Sequence, residues 1–252
     1  LMTMVDSMLA LAQAPADAPA NDDELPVALI VPHAGYVYSG PVAASAYVHL
    51  RRWRDDVRRV MVIGPPHRVP VHGLALSGAD EWVTPLGRIP VDRPACEQLL
   101  NTPGVCVDDH AHAAEHSIEV HLPFLQRVLD PGWTLVPVLA GGPAAGSLAD
   151  ALESVWAAPG TVAVVSTDLS HYHPQWQARS LDRATAELIE GEHGGLEPWR
   201  EQALDQFDRG ADTTVEVDRP EHRLERVRKD RHLLAAAGSV LATAEQEVVP
   251  DV

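Results

Sequence analysis

Four short apolar segments, separated by helix-like stretches, constrain the fold of this chain more than any other feature. They cover residues 26–32, 58–65, 133–141 and 161–169, and the first of them reads PVALIVP. A strand that is covered on both faces has such a continuous apolar sequence, whereas a strand with one solvated face alternates. Strands that alternate with helices favour an α/β fold. We therefore expect a three-layer α/β/α sandwich with a mostly parallel or mixed central sheet.

Helices are predicted between these strands. Asp92 is a good N-cap residue for a helix that ends at about Leu100, and Pro41 stands near the first turn of another helix. Residues 74–92 are expected to form short strands around turns. The predicted helices cover residues 41–53, 92–100, 116–129, 145–156 and 176–189.

The chain is expected to form one domain with an unusual C-terminal segment. A length of 252 residues fits a single large α/β domain over 1–252. Residues 195–252 are charged and weakly patterned, so we expect a divergent or poorly ordered segment there. Within it only residues 224–246 are predicted to form a firm helix, and no apolar strand is expected to close the chain.

Charge and composition exclude several classes of protein. The formal net charge is −17, and a field of this sign repels phosphate backbones, so nucleic acid is not an expected partner. No apolar run approaches the roughly 18–20 residues that cross a bilayer. The N-terminal segment carries Asp6 and no basic region, which argues against a secretory signal and favours a cytoplasmic protein. Cys96 and Cys106 have no CxxC spacing and are expected to be buried free thiols.

Histidines follow three of the four apolar strands at the point where each strand ends. His33 follows the first strand and His67 the second, whereas Asp168, His171 and His173 follow the fourth. Open α/β sheets bind ligands beyond the carboxyl ends of their strands. Imidazole is a common protein ligand of first-row transition metals, and it is also a general base near neutral pH. The pattern therefore predicts a metal or acid–base site at one edge of the sheet.

Further residues are expected to line the same site. His116 and Glu119 lie three positions apart in the segment EHSIEVHLPF, so they share one face of the predicted helix. His121 falls on the opposite side of that helix and is expected to be structural. Asp168 is expected to line the site as well. Tyr36, in the Gly-rich turn after the first strand, is expected either to bind a substrate or to fill the mouth of the site.

Four motifs in this order make the sequence resemble a known family. They read PHAGYVYSGPVAASAY, GPPHRVP, EHSIEVHLPFLQ and STDLSHY. Over about residues 5–190 the chain resembles the Memo family, which includes the bacterial and archaeal group called AmmeMemoRadiSam system protein B. That family is similar in fold to the class III extradiol dioxygenases, which use non-haem Fe(II) bound by two histidines and a carboxylate.

The resemblance implies roles for individual residues. His33 and His67 match two metal-ligand positions, and His171 matches the histidine that acts as acid and base beside the metal in the dioxygenases. Iron or copper is the implied cofactor, and a functional link to AMMECR-type and radical SAM proteins is implied as well. The third ligand in Memo proteins is a cysteine near the C-terminus, whereas this sequence has no cysteine after Cys106. We therefore expect no equivalent ligand after residue 195, and weak metal affinity.

Three functions stay open on the sequence alone. The first is a metal-dependent redox enzyme that uses iron or copper on a small molecule. The second is a non-catalytic module that holds a peptide or partner in the same histidine-lined cleft. The third is a metal-assisted hydrolase, in which Asp168 completes a zinc site with an open water position. The sequence contains no P-loop, GxGxxG or G-x-S-x-G motif, so neither a nucleotide cofactor nor a nucleophile elbow is expected.

Overall fold

A computed structural model of the chain describes residues 1–12, 25–141, 145–191 and 216–217. Within these residues the strands form a seven-stranded sheet, in the order β6-β3-β7-β2-β8-β1-β9, and a separate hairpin of β4 and β5. The strands are β1 Ala28–Val31, β2 Arg59–Gly64, β3 Gly73–Leu76, β4 Glu81–Thr84, β5 Gly87–Pro90, β6 Val105–Val107, β7 Thr134–Gly141, β8 Thr161–Ser166 and β9 Glu216–Val217.

Helices connect most of these strands. The helix predicted after Asp92 is present, and the Asp92 side chain accepts a hydrogen bond from the backbone N–H of Ala95, as expected of an N-cap. Two 3-10 helices, Val48–Trp53 and Glu119–His121, also occur in the described part of the chain. The α-helices there are α1 Met2–Leu11, α2 Tyr36–Tyr47, α3 Arg93–Leu100, α4 Asp109–Ala113, α5 Leu122–Val128, α6 Ala145–Trp156 and α7 Gln175–Gly191.

The four apolar segments form the centre of the sheet. Strands β7, β2, β8 and β1 are neighbours in that order, and all of them run parallel. Every residue of β1 and β8 is buried, as a strand between two helical layers requires. Strand β3 is antiparallel to β7, and β9 is antiparallel to β1. The sheet is therefore mixed with a parallel centre.

Two separate apolar cores cover the two faces of the sheet. On one face, Val62 and Leu135 pack with residues of α1, α2 and α5, among them the fully buried Tyr47. On the other face, Met61 and Val136 pack with residues of α3 and α6. Alternate residues of one strand thus feed opposite cores. The predicted three-layer α/β/α sandwich is confirmed.

Three sequence-based expectations need correction. Residues 116–129 do not form one helix, because α5 begins only at Leu122 and is preceded by a 3-10 turn. Cys106 is exposed rather than buried, whereas Cys96 is buried; both are free thiols. The α-helix predicted over 41–53 covers Tyr36–Tyr47 instead and is followed by a 3-10 helix, so Pro41 lies inside α2 rather than near its first turn. In the C-terminal segment a two-residue strand, β9, pairs with β1. The predicted helix at 224–246 and the rest of 195–252 apart from β9 lie outside the described residues.

No helix in the described part of the chain is both long enough and apolar enough to span a bilayer.

Candidate metal centre

Three strands of the sheet carry polar side chains to one edge. Strands β1, β8 and β2 are parallel neighbours, so their carboxyl ends lie together. His33 lies just beyond β1, His67 just beyond β2 and Asp168 just beyond β8. The imidazole rings of His33 and His67 have centroids 5.1 Å apart. These two histidines therefore lie together at the edge where the sequence predicted a site.

A third imidazole joins this pair from a segment that does not follow a strand. His116 lies between α4 and the second 3-10 helix. Its ring centroid is 4.8 Å from that of His67 and 5.7 Å from that of His33. One ligand nitrogen from each of the three rings lies within 4.8 Å of the other two. Nitrogens bound to one ion at metal–nitrogen distances of about 2.0–2.1 Å also stand a few Å apart, so this group of three rings is a candidate metal site.

The three rings differ in their exposure to solvent. His33 is only 3% exposed, whereas the side chains of His67 and His116 are 35% and 43% exposed. One ring thus lies at the floor of the site and two at its rim. An ion held by these rings would keep coordination positions that water or a substrate can reach.

Glu115 contacts two of the three histidines from the buried side of the site. Its side chain is 2% exposed. Oε1 accepts the backbone N–H groups of His116 at 2.8 Å and Ser117 at 2.9 Å, and it lies 2.8 Å from Nδ1 of His67. Oε2 accepts the backbone N–H of His67. The carboxylate therefore joins the loop after β2 to the loop after α4, and it orients the His67 ring through Nδ1. Carboxylates hold metal-binding histidines in this manner in many metal sites.

The electrostatics of the site favour neutral imidazole beside an ionised carboxylate. Burial raises the pKa of Glu115, but hydrogen bonds from the side chain and backbone of His67 and from Ser117 N–H outweigh burial and lower that pKa to about 2. Burial lowers the pKa of His33, Asp168 opposes this shift, and His67 and His116 add to it, so the pKa falls to about 4. At neutral pH His33 is therefore uncharged, as a ligand must be, and Glu115 supplies a negative charge beside the rings.

Asp168 fixes the loop that carries His33. Its Oδ1 accepts the backbone N–H of His33 at 2.6 Å and that of Ala34 at 3.0 Å, and its Oδ2 lies 3.7 Å from His33 Nε2. The loop after Asp168 holds Leu169 and Tyr172 at φ angles of 61° and 60°. Left-handed backbone costs a residue with a side chain about 1–2 kcal/mol, and such strain clusters at functional sites.

Gly64, the last residue of β2, allows the Glu115–Ser117 segment to approach the strand end. A Cβ atom at Gly64 would lie 2.5 Å from Ser117 Oγ and 3.3 Å from the Ser117 carbonyl carbon. Ser117 cannot move away freely, because its hydroxyl donates to the Pro65 carbonyl at 2.8 Å. The Glu115–Ser117 segment can therefore approach the end of β2 this closely only because residue 64 has no side chain.

We expect Gly64→Ala to lower the free energy of unfolding by about 1–3 kcal/mol, because the added methyl group forces the Ser117 segment outward. Urea denaturation of the metal-free protein measures the effect. Gly35→Ala is the matched control, since a Cβ there would meet no atom closer than 3.7 Å; it should cost less than about 1 kcal/mol. If Gly64→Ala were as stable as the unchanged protein, the close approach of the two segments would be wrong.

The other predicted site residues, Tyr36, Glu119 and His171, lie on three different segments of the chain. The Tyr36 hydroxyl donates to the Val120 carbonyl at 3.1 Å, and burial, with Glu119 nearby, raises its pKa to about 12. Glu119 itself is exposed on the 3-10 helix. His171 is exposed in the loop between β8 and α7, with its ring centroid 6.0 Å from that of Tyr172. Among the described residues, His171 is not a member of the group whose ligand nitrogens lie within 4.8 Å of one another.

Sequence reasoning missed the residues behind the rings. Glu115 gave one signal, since it directly precedes His116, but its contact with His67 spans 48 positions and no local pattern reveals it. Ser166, whose Oγ lies 2.6 Å from His33 Nδ1, is the last residue of β8 and looks like an ordinary strand residue in the sequence. His121 is fully buried, in keeping with the structural role expected for it.

Comparisons with known proteins agree with the motifs. The family model described as Memo-like protein matches residues 2–235. A MEMO1 family protein of Thermotoga maritima is 39% identical over 171 residues, which cover 66% of this chain and 61% of that protein. A MEMO1 family protein of Methanopyrus kandleri is 38% identical over 189 residues, covering 69% and 64% of the two chains. A MEMO1 family protein of Aquifex aeolicus is 33% identical over 168 residues, covering 66% and 61%. The chain thus spans less than two thirds of the length of these relatives, and it belongs to the Memo family.

Proposed function

We propose that this chain binds one first-row transition-metal ion, iron or copper, through His33, His67 and His116, and that it uses the ion in a redox reaction on a small organic molecule. The observation that carries the proposal is the approach of the three ligand nitrogens to within 4.8 Å of one another. Neutral imidazoles suit iron, copper and zinc. The resemblance of His33 and His67 to two ligand positions of the Memo family supports the same assignment.

The chemistry of the donor set fits such an ion. Three imidazoles supply enough nitrogen donors for a catalytic site, and Glu115 supplies negative charge behind His67. The expectation of weak affinity was based on two imidazoles only. His116 adds a third donor, so the proposed site does not depend on a cysteine after residue 195. The exposed sides of His67 and His116 leave room for a substrate.

When bound, iron or copper would supply one-electron redox chemistry and Lewis acidity toward an oxygen atom of the substrate. The protein's own residues would do the rest. Glu115 holds the ring of His67 in place, and Asp168 holds the loop of His33. The Oδ2 atom of Asp168 would accept a hydrogen bond from a substrate hydroxyl. His171, which follows β8 at the same edge of the sheet, would take up a proton from the substrate at a ring nitrogen and return it.

Exposed apolar side chains in the segments that follow His33 and Asp168 support an organic ligand rather than an inorganic one. Val37 and Tyr38, at the start of α2, follow His33 closely and are exposed. Tyr172 and Trp176 follow Asp168 and are exposed too. Large apolar side chains that form a contiguous exposed patch often mark a binding surface. A small molecule with an apolar part, or the side chain of a peptide, would cover them.

A zinc-dependent hydrolase is the second candidate. The observation in its favour is the donor set itself, since three neutral histidines with an open fourth position also bind zinc in catalytic sites. Zinc held by the three histidines would supply Lewis acidity for hydrolysis, and Asp168 would accept a hydrogen bond from the attacking water. Metal selectivity separates the two candidates.

Titration of the full metal-free chain with Fe(II), Cu(II) and Zn(II) tests the proposal. We expect one ion per chain, and none of comparable affinity in the double variant His33→Ala/His67→Ala. After unbound copper has been removed by gel filtration, the copper-treated protein should also consume dioxygen in the presence of ascorbate faster than the double variant treated in the same way. Failure to bind any of the three metals would overturn the proposal. Tight binding of zinc alone would replace it with the hydrolase.

A further inference from the structure

A buried row of polar side chains runs from the core to the back of His33. It consists of Tyr47 at the end of α2, His121 in the second 3-10 helix and Ser166 at the end of β8, and all three are fully buried. Buried polar groups cost free energy unless each finds a hydrogen-bond partner. Their partners therefore have to be accounted for one by one.

The hydroxyl of Ser166 lies at the centre of this row. Its Oγ is 2.6 Å from the carbonyl oxygen of Ser117, 2.6 Å from Nδ1 of His33 and 2.9 Å from Nε2 of His121. A serine hydroxyl has one hydrogen to donate and two lone pairs to accept with. A carbonyl oxygen can only accept, so the single hydrogen must point to Ser117. Both lone pairs are then left for His33 and His121, and both rings must donate to them.

The hydrogen bond at the other ring nitrogen of His121, Nδ1, is consistent with these donor and acceptor roles. Burial lowers the pKa of His121 to about 3, so its ring is neutral at physiological pH and carries only one N–H. If that N–H is at Nε2 and points to Ser166, then Nδ1 must be an acceptor. The Tyr47 hydroxyl lies 2.8 Å from Nδ1 and is the donor. Burial raises the pKa of Tyr47 well above its usual value, so this hydroxyl keeps its hydrogen. Every polar atom in the row thus has one consistent role.

We infer that Ser166 is a positioning residue, which holds His33 as the neutral tautomer with its hydrogen on Nδ1. The Nε2 lone pair of His33 then faces the site, where His67, His116 and Asp168 lie. The tautomer follows from the buried hydrogen bonds alone. Its consequence for metal affinity rests on the proposed function, because a ring with its hydrogen on Nε2 would have no lone pair to offer an ion there.

The experiment reads the tautomer directly, in the metal-free full chain labelled with nitrogen-15. Long-range proton–nitrogen correlation spectra at neutral pH distinguish a ring protonated at Nδ1 from one protonated at Nε2. We expect the Nδ1–H form for His33 and the Nε2–H form for His121. In Ser166→Ala the His33 signals should shift toward the Nε2–H form, and metal affinity should fall about tenfold to 100-fold. Ser166→Thr, which keeps the hydroxyl, should restore both.

Ser45→Ala is the matched control. Ser45 is a serine on α2 whose hydroxyl donates only locally, to Val42 O at 2.7 Å, so this variant should change neither the tautomer nor the affinity. An Nε2–H form of His33 in the unchanged protein would overturn the inference, and this test does not require any variant to fold. Unchanged His33 signals in a folded Ser166→Ala would overturn it as well. An Nδ1–H form of His33 in a protein that binds no metal would support the positioning by Ser166 and refute the proposed function.

Discussion

Glu115→Gln is expected to lower the free energy of unfolding of the metal-free chain by about 1–3 kcal/mol and metal affinity by about tenfold to 100-fold. The Glu115 carboxylate accepts the backbone N–H groups of His67, His116 and Ser117 and lies 2.8 Å from Nδ1 of His67. A glutamine of the same shape can accept at its oxygen only. Its amide N–H groups would face at least one buried donor, which would lose its partner.

The pH dependence gives a second readout of the same carboxylate. Burial raises the pKa of Glu115, but its hydrogen bonds outweigh burial and lower the pKa from 4.5 to about 2. A carboxyl group whose pKa is lower in the folded protein than in the unfolded chain stabilises the fold. This stabilisation is fully present above the pKa of the unfolded chain, and it is lost as the pH falls through the pKa of the folded protein. The stability difference between the unchanged protein and Glu115→Gln should therefore be largest above about pH 4.5 and shrink toward pH 2.

Glu97→Gln is the control for removing a carboxylate. Glu97 is exposed on α3, so its replacement should change the free energy of unfolding by no more than about 0.5 kcal/mol. Guanidinium denaturation at several pH values, without metal, measures both variants. A Glu115→Gln variant as stable as Glu97→Gln would mean that Glu115 does not join the two loops.

The fold and two of the site histidines follow from local patterns in the sequence. The continuous apolar runs identify the central strands, because only strands covered on both faces are apolar throughout. Once these strands are parallel neighbours, their ends must share an edge, and His33 and His67 come together for that reason. Position along the strand is enough for this inference, and no knowledge of side-chain contacts is needed.

The structure of the segment around His116 could not be predicted from local patterns in this way. His116 and Glu119 were placed in the site because they would share a helix face, but the backbone there is not one helix. Pro123 stands in the first turn of α5, where its missing N–H costs nothing, and an α-helix running through it from residue 116 would lose a backbone bond. Hydrogen bonds to Glu115 hold His116 and Ser117 in the loop instead. These contacts join distant parts of the chain, so no periodic pattern could reveal them.

The identity of the third ligand can be decided by comparing two histidines. His116→Ala is expected to lower metal affinity by on the order of 100-fold or more, because it removes one of three nitrogen donors. His171→Ala is expected to leave the affinity within about threefold and to impair turnover instead, since His171 is exposed and, in the described part of the chain, lies outside the group of three rings.

Both replacements should leave the protein folded, so a difference in metal affinity between them will not result from unfolding. The His116 side chain is 43% exposed and His171 is exposed as well, so each change should cost no more than about 0.5–1 kcal/mol of unfolding free energy. Calorimetric titration of each variant with Cu(II) and Zn(II) measures affinity independently of activity. If His171→Ala lost the metal and His116→Ala kept it, the ligands would be His33, His67 and His171. His116 would then be a residue at the rim of the site, and the loop after β8 would have to move inward to deliver the third nitrogen.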